Sequence, residues 1–362
     1  MTSKARLIAA LTGQPVDRLP FSPFLAYVWE FFPPAVQQAG PLAFHHRIGA
    51  DPLWRGAPCP VGYAATDAVT STTFTQDDRQ VTVISTPVGE LRMASKRSEA
   101  GGTHFLVEHP LKTADDFKVQ TWIEEQAVLV RTPEAVAAHF AGDGREGLSL
   151  GMLIPRMKSA YQSLVEYHVG TEELVYAQAD FPDAVDTLWQ TMVAKDLEAV
   201  RLAADADYDY FITWEDSSTQ NYSPALYDRY IAAEITQWCA LVRAQGKQYI
   251  QHACGHVRAL LHPMLDAGVM AVESLSPYPT GNLSLAEARA LAGPGFGIIG
   301  GIEPTQFLRL SLRDLGPYVE EVIADGQGGP FVLANSDSCP PGVTVEKFEL
   351  VADIARGVRP GV

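Results

Sequence analysis

The sequence predicts an α/β fold, a (β/α)8 TIM-type barrel with an N-terminal extension and an antiparallel hairpin insertion. Three observations carry this expectation. From about residue 110 onward, short apolar runs alternate with amphipathic stretches up to the end of the chain. The turns between them are mostly short, and a parallel sheet with crossover helices is what such an order requires. No glycine-rich phosphate loop follows any run: "GFGIIGGI" has its glycines around and within the strand, not in GxGxxG order. An open dinucleotide-binding sheet thereby loses its main support.

Taken in order, residues 3–12 read as a short amphipathic helix and "RLPFSPFL" (18–25) as a first strand. Residues 35–48 read as helix, leading into "RIGADPLWRG". Residues 68–109 are rich in Thr, Val and Ser, with Gly and Pro between short runs, and read as antiparallel hairpins inserted into the main fold or capping it. "TADDFKVQTWIEEQ" opens on a capping Thr with an acidic first turn, and "TPEAVAAHF" places Pro at the first helical position. The strands expected next are "GLSLGMLI" (147–154), "DYFITWED" (209–216), "KQYIQHAC" (247–254), "VMAVESLSP" (269–277), "FGIIGGI" (296–302) and "PFVLANSD" (330–337). Each is followed by a helical stretch. With the N-terminal run, these approach the eight strands of a barrel. A barrel with extensions accounts for residues 1–362 as a single domain.

Composition narrows the function. Hydrophobic residues make up 47% of the chain and charged ones 19%, enough apolar material for a large core. The net charge is −16 with no compensating basic tract, which excludes nucleic acid as a partner and disfavours acidic membrane surfaces. No apolar run approaches the ~20 residues of a membrane span. The N-terminal stretch lacks the apolar core and cleavage site of a signal peptide. The four cysteines, Cys59, Cys239, Cys254 and Cys339, are too few for a disulfide framework in a chain of this length. The expected compartment is the cytoplasm, where thiols stay reduced.

Barrel chemistry sits at the C-terminal ends of the strands, and the ionisable and sulfur-bearing residues gather there. Glu215 and Asp216 end one strand, and His252 and Cys254 the next. Glu273 lies on the strand after that, Glu303 follows "FGIIGGI", and Asp337 and Cys339 follow the last. His252 and Cys254, two apart, leave a strand on the same face. Thiolate, imidazole and carboxylate drawn from separate strand ends suit a borderline-soft ion, with Zn²⁺ the natural candidate. A His-x-Cys pair also fits a packed cysteine beside a hydrogen-bonded histidine; the added presence of Glu273 and Cys339 is what favours a metal. Cys239, in the helical "QWCALV", reads as a small core residue, and Cys59, between prolines, as structural. Glu215 and Asp216 either pair at the rim or position a substrate.

"HACGHVRALLHPMLDAGVMAVESLSP", "WEDSSTQNYSPALYDRYI", "TPVGELRM" and "GIIGGIEP" together resemble the uroporphyrinogen decarboxylase superfamily, most closely its zinc-dependent methylcobamide:coenzyme M methyltransferase branch. The resemblance implies a distorted (β/α)8 barrel with His252, Cys254, Glu273 and Cys339 around Zn²⁺. It implies methyl transfer from methylcobalamin or a corrinoid protein to a small thiol held as its thiolate, with Glu215, Asp216, Tyr222 and Glu303 as substrate-positioning candidates. Arg156 and Lys158 are the local candidates for binding an anionic thiol. A metal-independent decarboxylase of the same family is the alternative, as is a non-catalytic corrinoid- or metal-binding subunit. The decarboxylase's Arg-rich N-terminal stretch is not matched: no Arg stands between Arg18 and Arg47.

Overall fold

The computed structural model describes residues 1–98 and 103–358. Its centre is a seven-stranded parallel sheet curled into a half-barrel of TIM-like character. The strands are β1 (Leu53–Ala57), β2 (Leu148–Met152), β3 (Tyr210–Trp214), β4 (Gln248–His252), β5 (Ala271–Leu275), β6 (Gly297–Ile302) and β7 (Phe331–Asn335). They lie in sheet order β1 to β7. Each pairs in parallel with its chain neighbour, and helices make the crossovers. Six of these strands fall inside runs expected from the sequence.

The first does not. "RLPFSPFL" makes a single bridge, Phe21 to Leu333 of β7. Ser22 N–H donates to Leu333 O at 2.9 Å, and Leu333 N–H to Pro20 O at 3.1 Å. Asp51 N–H, just before β1, donates to Phe21 O at 2.8 Å. Pro20 and Pro23 carry no N–H, so this segment cannot extend a ladder. The first full strand is Leu53–Ala57, about 30 residues later, in the stretch expected only as a helix exit.

Alternation along each strand sorts its side chains between two cores. The inward face of the sheet is apolar at its base: Leu53, Leu148, Leu150, Tyr210, Ile212, Ile250, Ala271, Ile299 and Val332 are buried together. Leu7, Ala10 and Leu11 of helix Ser3–Leu11 join them, closing that end. The outward face packs under the helices in a second, larger core. Two residues beyond Leu53, Ile212, Ile250 and Ala271, on the same inward face, come Arg55, Trp214, His252 and Glu273. The strand period therefore lifts a polar layer onto an apolar floor.

Residues 35–48 form two helices, Pro34–Ala39 and Pro41–Ile48, broken at Gly40, whose φ of 88° is open to glycine at little cost. Strands Thr70–Gln76, Arg79–Thr86, Gly89–Arg97 and His104–Glu108 make an antiparallel four-stranded sheet. Gly89, entering its third strand, lies against Val119 of helix Ala114–Gln126. Among the described residues no helix is long and apolar enough to cross a membrane.

Candidate metal site at the strand ends

β4 and β5 set the heart of the site, since their register puts His252 beside Glu273. His252 Nδ1 lies 2.6 Å from Glu273 Oε2. The other carboxylate oxygen, Oε1, accepts from Arg55 Nε at 2.6 Å, and Ser274 Oγ donates to Oε2 at 3.0 Å. All of these groups are buried. A carboxylate only accepts, so Nδ1 carries the hydrogen and Nε2 points away from Glu273.

Nε2 faces Asp216 Oδ1 at 3.1 Å. Cys254 Sγ approaches the same oxygen at 3.7 Å. The second oxygen of Asp216 accepts from Lys158 Nζ at 2.9 Å, and Lys158 also pairs with Glu166. The ligand atoms of Asp216, His252 and Cys254 all lie within 4.8 Å of one another.

The electrostatics follow from these contacts. Burial opposes charge on His252, but the bonds to Asp216, Cys254 and Glu273 outweigh it and raise the imidazole well above its ordinary value. Burial likewise pushes Asp216 up, while His252 and Lys158 hold it below the usual carboxylate range. Burial raises the Cys254 thiol, and His252 counters part of that rise. A cation in the space between the three groups would replace the protons they now share.

The backbone is bent to make this arrangement. Tyr27, Met157, Asp216, Ser274 and Asp337 have φ of 64°, 67°, 45°, 71° and 63°, the left-handed region that non-glycine residues rarely enter. Asp216, Ser274 and Asp337 lie at or just past the ends of β3, β5 and β7. Tyr27 and Asp337 line the adjoining cavity, and Met157 O accepts from Trp214 N–H at 2.6 Å. Trp214 stacks on the His252 ring, with centroids 6.1 Å apart and planes at 26°. A cavity of about 680 Å³ opens beside Cys254, lined by Tyr27, His256, Thr305, Asp337 and Pro340 among others.

The other residues singled out from the sequence are placed elsewhere. Glu273 stands behind His252 with both oxygens engaged, so it orients the imidazole and does not join the three-residue group. Cys339 is 0% exposed, inside the outer core, and burial raises its thiol strongly. Asp337, two residues earlier, lines the cavity with Cys254, as do Ser338, Pro340 and Pro341 on either side of Cys339. Burial raises the Asp337 carboxyl against the pull of His252.

Glu215 turns away from Asp216 and accepts from Ser159 N–H at 2.8 Å, Ser159 Oγ at 2.7 Å and Thr213 Oγ1 at 2.7 Å. Tyr222 is buried and stacks on Tyr227. Glu303 caps helix Pro304–Arg309, accepting from Gln306 N–H at 2.7 Å. Of the four substrate-positioning candidates, only Asp216 belongs to the cluster. Arg55 was not anticipated; its signal is an arginine at an inward position of the alternating run "LWRGA".

The donor set passes a test of fit for a tetrahedral ion. With zinc–nitrogen and zinc–oxygen distances of about 2.0–2.1 Å and zinc–sulfur of about 2.3 Å, the edges of the tetrahedron run to about 3.3–3.6 Å. The two edges meeting at Asp216 Oδ1 are 3.1 and 3.7 Å. The chain from Nε2 through Nδ1 to a carboxylate is the usual support of a metal-binding histidine.

The fold and this strand-end cluster define an α/β protein with a candidate metal centre at the C-terminal end of a curled parallel sheet. Residues 164–358, over half of the chain, match the family model described as uroporphyrinogen decarboxylase (URO-D), and the chain belongs to that family. No curated protein matches it in sequence. Among solved structures it is similar to a methyltransferase from Methanosarcina mazei, with a TM-score of 0.62 and 15% identity over 98% of each chain. It is also similar to a B12-independent methionine synthase from a Shewanella species in complex with selenomethionine, with a TM-score of 0.45 and 10% identity over 94% of this chain and 96% of that one. The first of these likenesses is one of fold.

Proposed function

We propose that this protein is a zinc-dependent methyltransferase that moves a methyl group from a corrinoid donor, methylcobalamin or a corrinoid protein, to a small thiol. The observation that carries the reading is the convergence of Asp216, His252 and Cys254 within 4.8 Å at the strand ends. The fold shared with the Methanosarcina mazei methyltransferase supports it. We also read the fold as a (β/α)8 barrel in which residues 20–22 take the eighth place, between β7 and the entry of β1.

His252 Nε2, Cys254 Sγ and Asp216 would hold the ion. Zinc there would keep an acceptor thiol as its thiolate near neutral pH. Glu273 fixes the proton of His252 on Nδ1 and so keeps Nε2 available. Arg55 balances Glu273, and Lys158 orients Asp216 through its second oxygen. The cavity beside Cys254 supplies the acceptor's place. In the transfer, the acceptor sulfur forms a bond to the methyl carbon, and the carbon–cobalt bond breaks with its electron pair left on cobalt.

A decarboxylase acting on a carboxylate-rich substrate is less well supported. Arg55, Arg156 and Lys158, the basic groups around the site, are already paired with Glu273, with Glu124 and Asp196, and with Asp216 and Glu166. Metal analysis of the purified protein, with methyl transfer from methylcobalamin to 2-mercaptoethanol followed in parallel, tests the proposal. About one zinc per chain and activity lost with a chelator are expected. A zinc-free protein with full activity would sink it.

A further inference from the structure

We propose that the acceptor is a neutral or cationic small thiol, and that Asp337 is the residue that turns anionic thiols away. This rests on the methyl-transfer reading. The cavity beside Cys254 offers hydroxyls from Ser276, Thr280 and Thr305 and apolar surface from Pro304, Leu308 and Pro340. Among the described residues no Lys or Arg lines it.

The cations nearest the site are committed. Arg55 is held by Glu273, and Lys158 by Asp216 and Glu166, with both side chains 2% exposed. Arg258, two residues after His256 of the lining, is paired with Glu287. The two charges of a divalent ion would be met by the Cys254 thiolate and Asp216. Glu166 remains matched by Lys158, and Glu273 by Arg55. Asp337 is then the charge that an incoming acceptor meets. Its place is built in: Asp337 N–H donates to Ser274 Oγ at 2.8 Å, and its carboxylate accepts from Ser338 N–H at 2.6 Å. Neither partner is a cation, so the carboxylate repels a sulfonate or carboxylate tail and attracts an ammonium.

Three thiols of similar size test this on the purified protein: cysteamine, 2-mercaptoethanol and 2-mercaptoethanesulfonate, titrated calorimetrically and assayed as acceptors from methylcobalamin. The sulfonate is expected to bind about tenfold or more weakly than 2-mercaptoethanol, with cysteamine at least as tight. Asp337→Asn narrows that gap, and so does added salt on the wild-type protein, which reads the same charge without a substitution. A sulfonate that binds as tightly as 2-mercaptoethanol overturns the proposal. So does a gap unmoved by both the substitution and salt. The expected binding order without methylation of any thiol would overturn the methyl-transfer reading and leave the selectivity standing. Methylation of all three with equal affinity would do the reverse. Binding by none of them overturns both.

Discussion

His252 Nδ1 and Glu273 Oε2 lie 2.6 Å apart, on adjacent strands, with Arg55 at the same distance from the carboxylate's other oxygen. The three buried side chains form one line from the first strand to the imidazole. The end of that line is Nε2, which faces Asp216. Glu273→Gln replaces one accepting oxygen with a donor and removes the charge that holds the Nδ1 tautomer. Zinc affinity is expected to fall about 10–100-fold, read by competition with a chromogenic chelator. Unchanged affinity would mean that Glu273 does not set the imidazole for metal.

The two strand-end cysteines differ in reach. Cys254 approaches Asp216, whereas Cys339 is enclosed in the outer core. Cys254→Ser is expected to abolish stoichiometric zinc. Cys339→Ser should keep it, with a stability loss on the order of 1 kcal/mol for a polar group placed in an apolar site. Zinc content by plasma emission, together with the thermal midpoint of each variant, separates these outcomes. Loss of zinc in Cys339→Ser at an intact fold would restore the ligand set expected from the sequence.

Arg55→Met tests the far end of the line. It leaves Glu273 in a buried site with one partner fewer, and breaking such a pair by removing one member costs about 3–5 kcal/mol. Urea unfolding should show that loss, and a double variant with Glu273→Gln should recover part of it. Additive losses would mean that the two residues are not coupled.

A second buried cluster fixes a pH dependence. Burial raises Glu215 to about 7 and Asp196 to about 6, in spite of the bonds each accepts, and raises Glu234 well above its ordinary value. In the unfolded chain such carboxyls titrate near 4. The folded state therefore keeps protons that the unfolded state releases, and this contribution to stability is complete below about pH 4. It is lost as pH rises through about 7. Glu215→Gln carries no titrating proton and removes that slope. The difference in unfolding free energy between wild type and Glu215→Gln should change by roughly 1–3 kcal/mol between pH 4.5 and 7.5. A constant difference across that window would mean that Glu215 is ionised throughout.

Much of the frame was legible in one dimension. The runs around β2 to β7 are short, apolar and bounded by turns, so their strand character is local. His252 and Cys254 could be paired because two residues apart on an extended chain means one face. β1 was missed because Leu53–Ala57 is short and carries Arg55 and Gly56, while "RLPFSPFL" is the more apolar run. Its prolines, however, limit it to one bridge.

The sequence by itself determined the alternation of strand and helix, the apolar floor, and the gathering of ionisable groups at strand ends, because these depend on the two-residue period of a strand. Only the tertiary structure decided which of those groups meet. At or just past the strand ends the chain leaves the extended conformation, inside β5 at Ser274 and beyond β3 and β7 at Asp216 and Asp337, and the period no longer says where a side chain points. A left-handed residue after β7 accompanies the exchange by which Asp337 faces the cavity and Cys339 the core. Arg55, 218 residues from Glu273 in the chain, decides that this carboxylate serves the histidine from behind. Such choices depend on distance and charge between remote segments, which exist only once the sheet has curled.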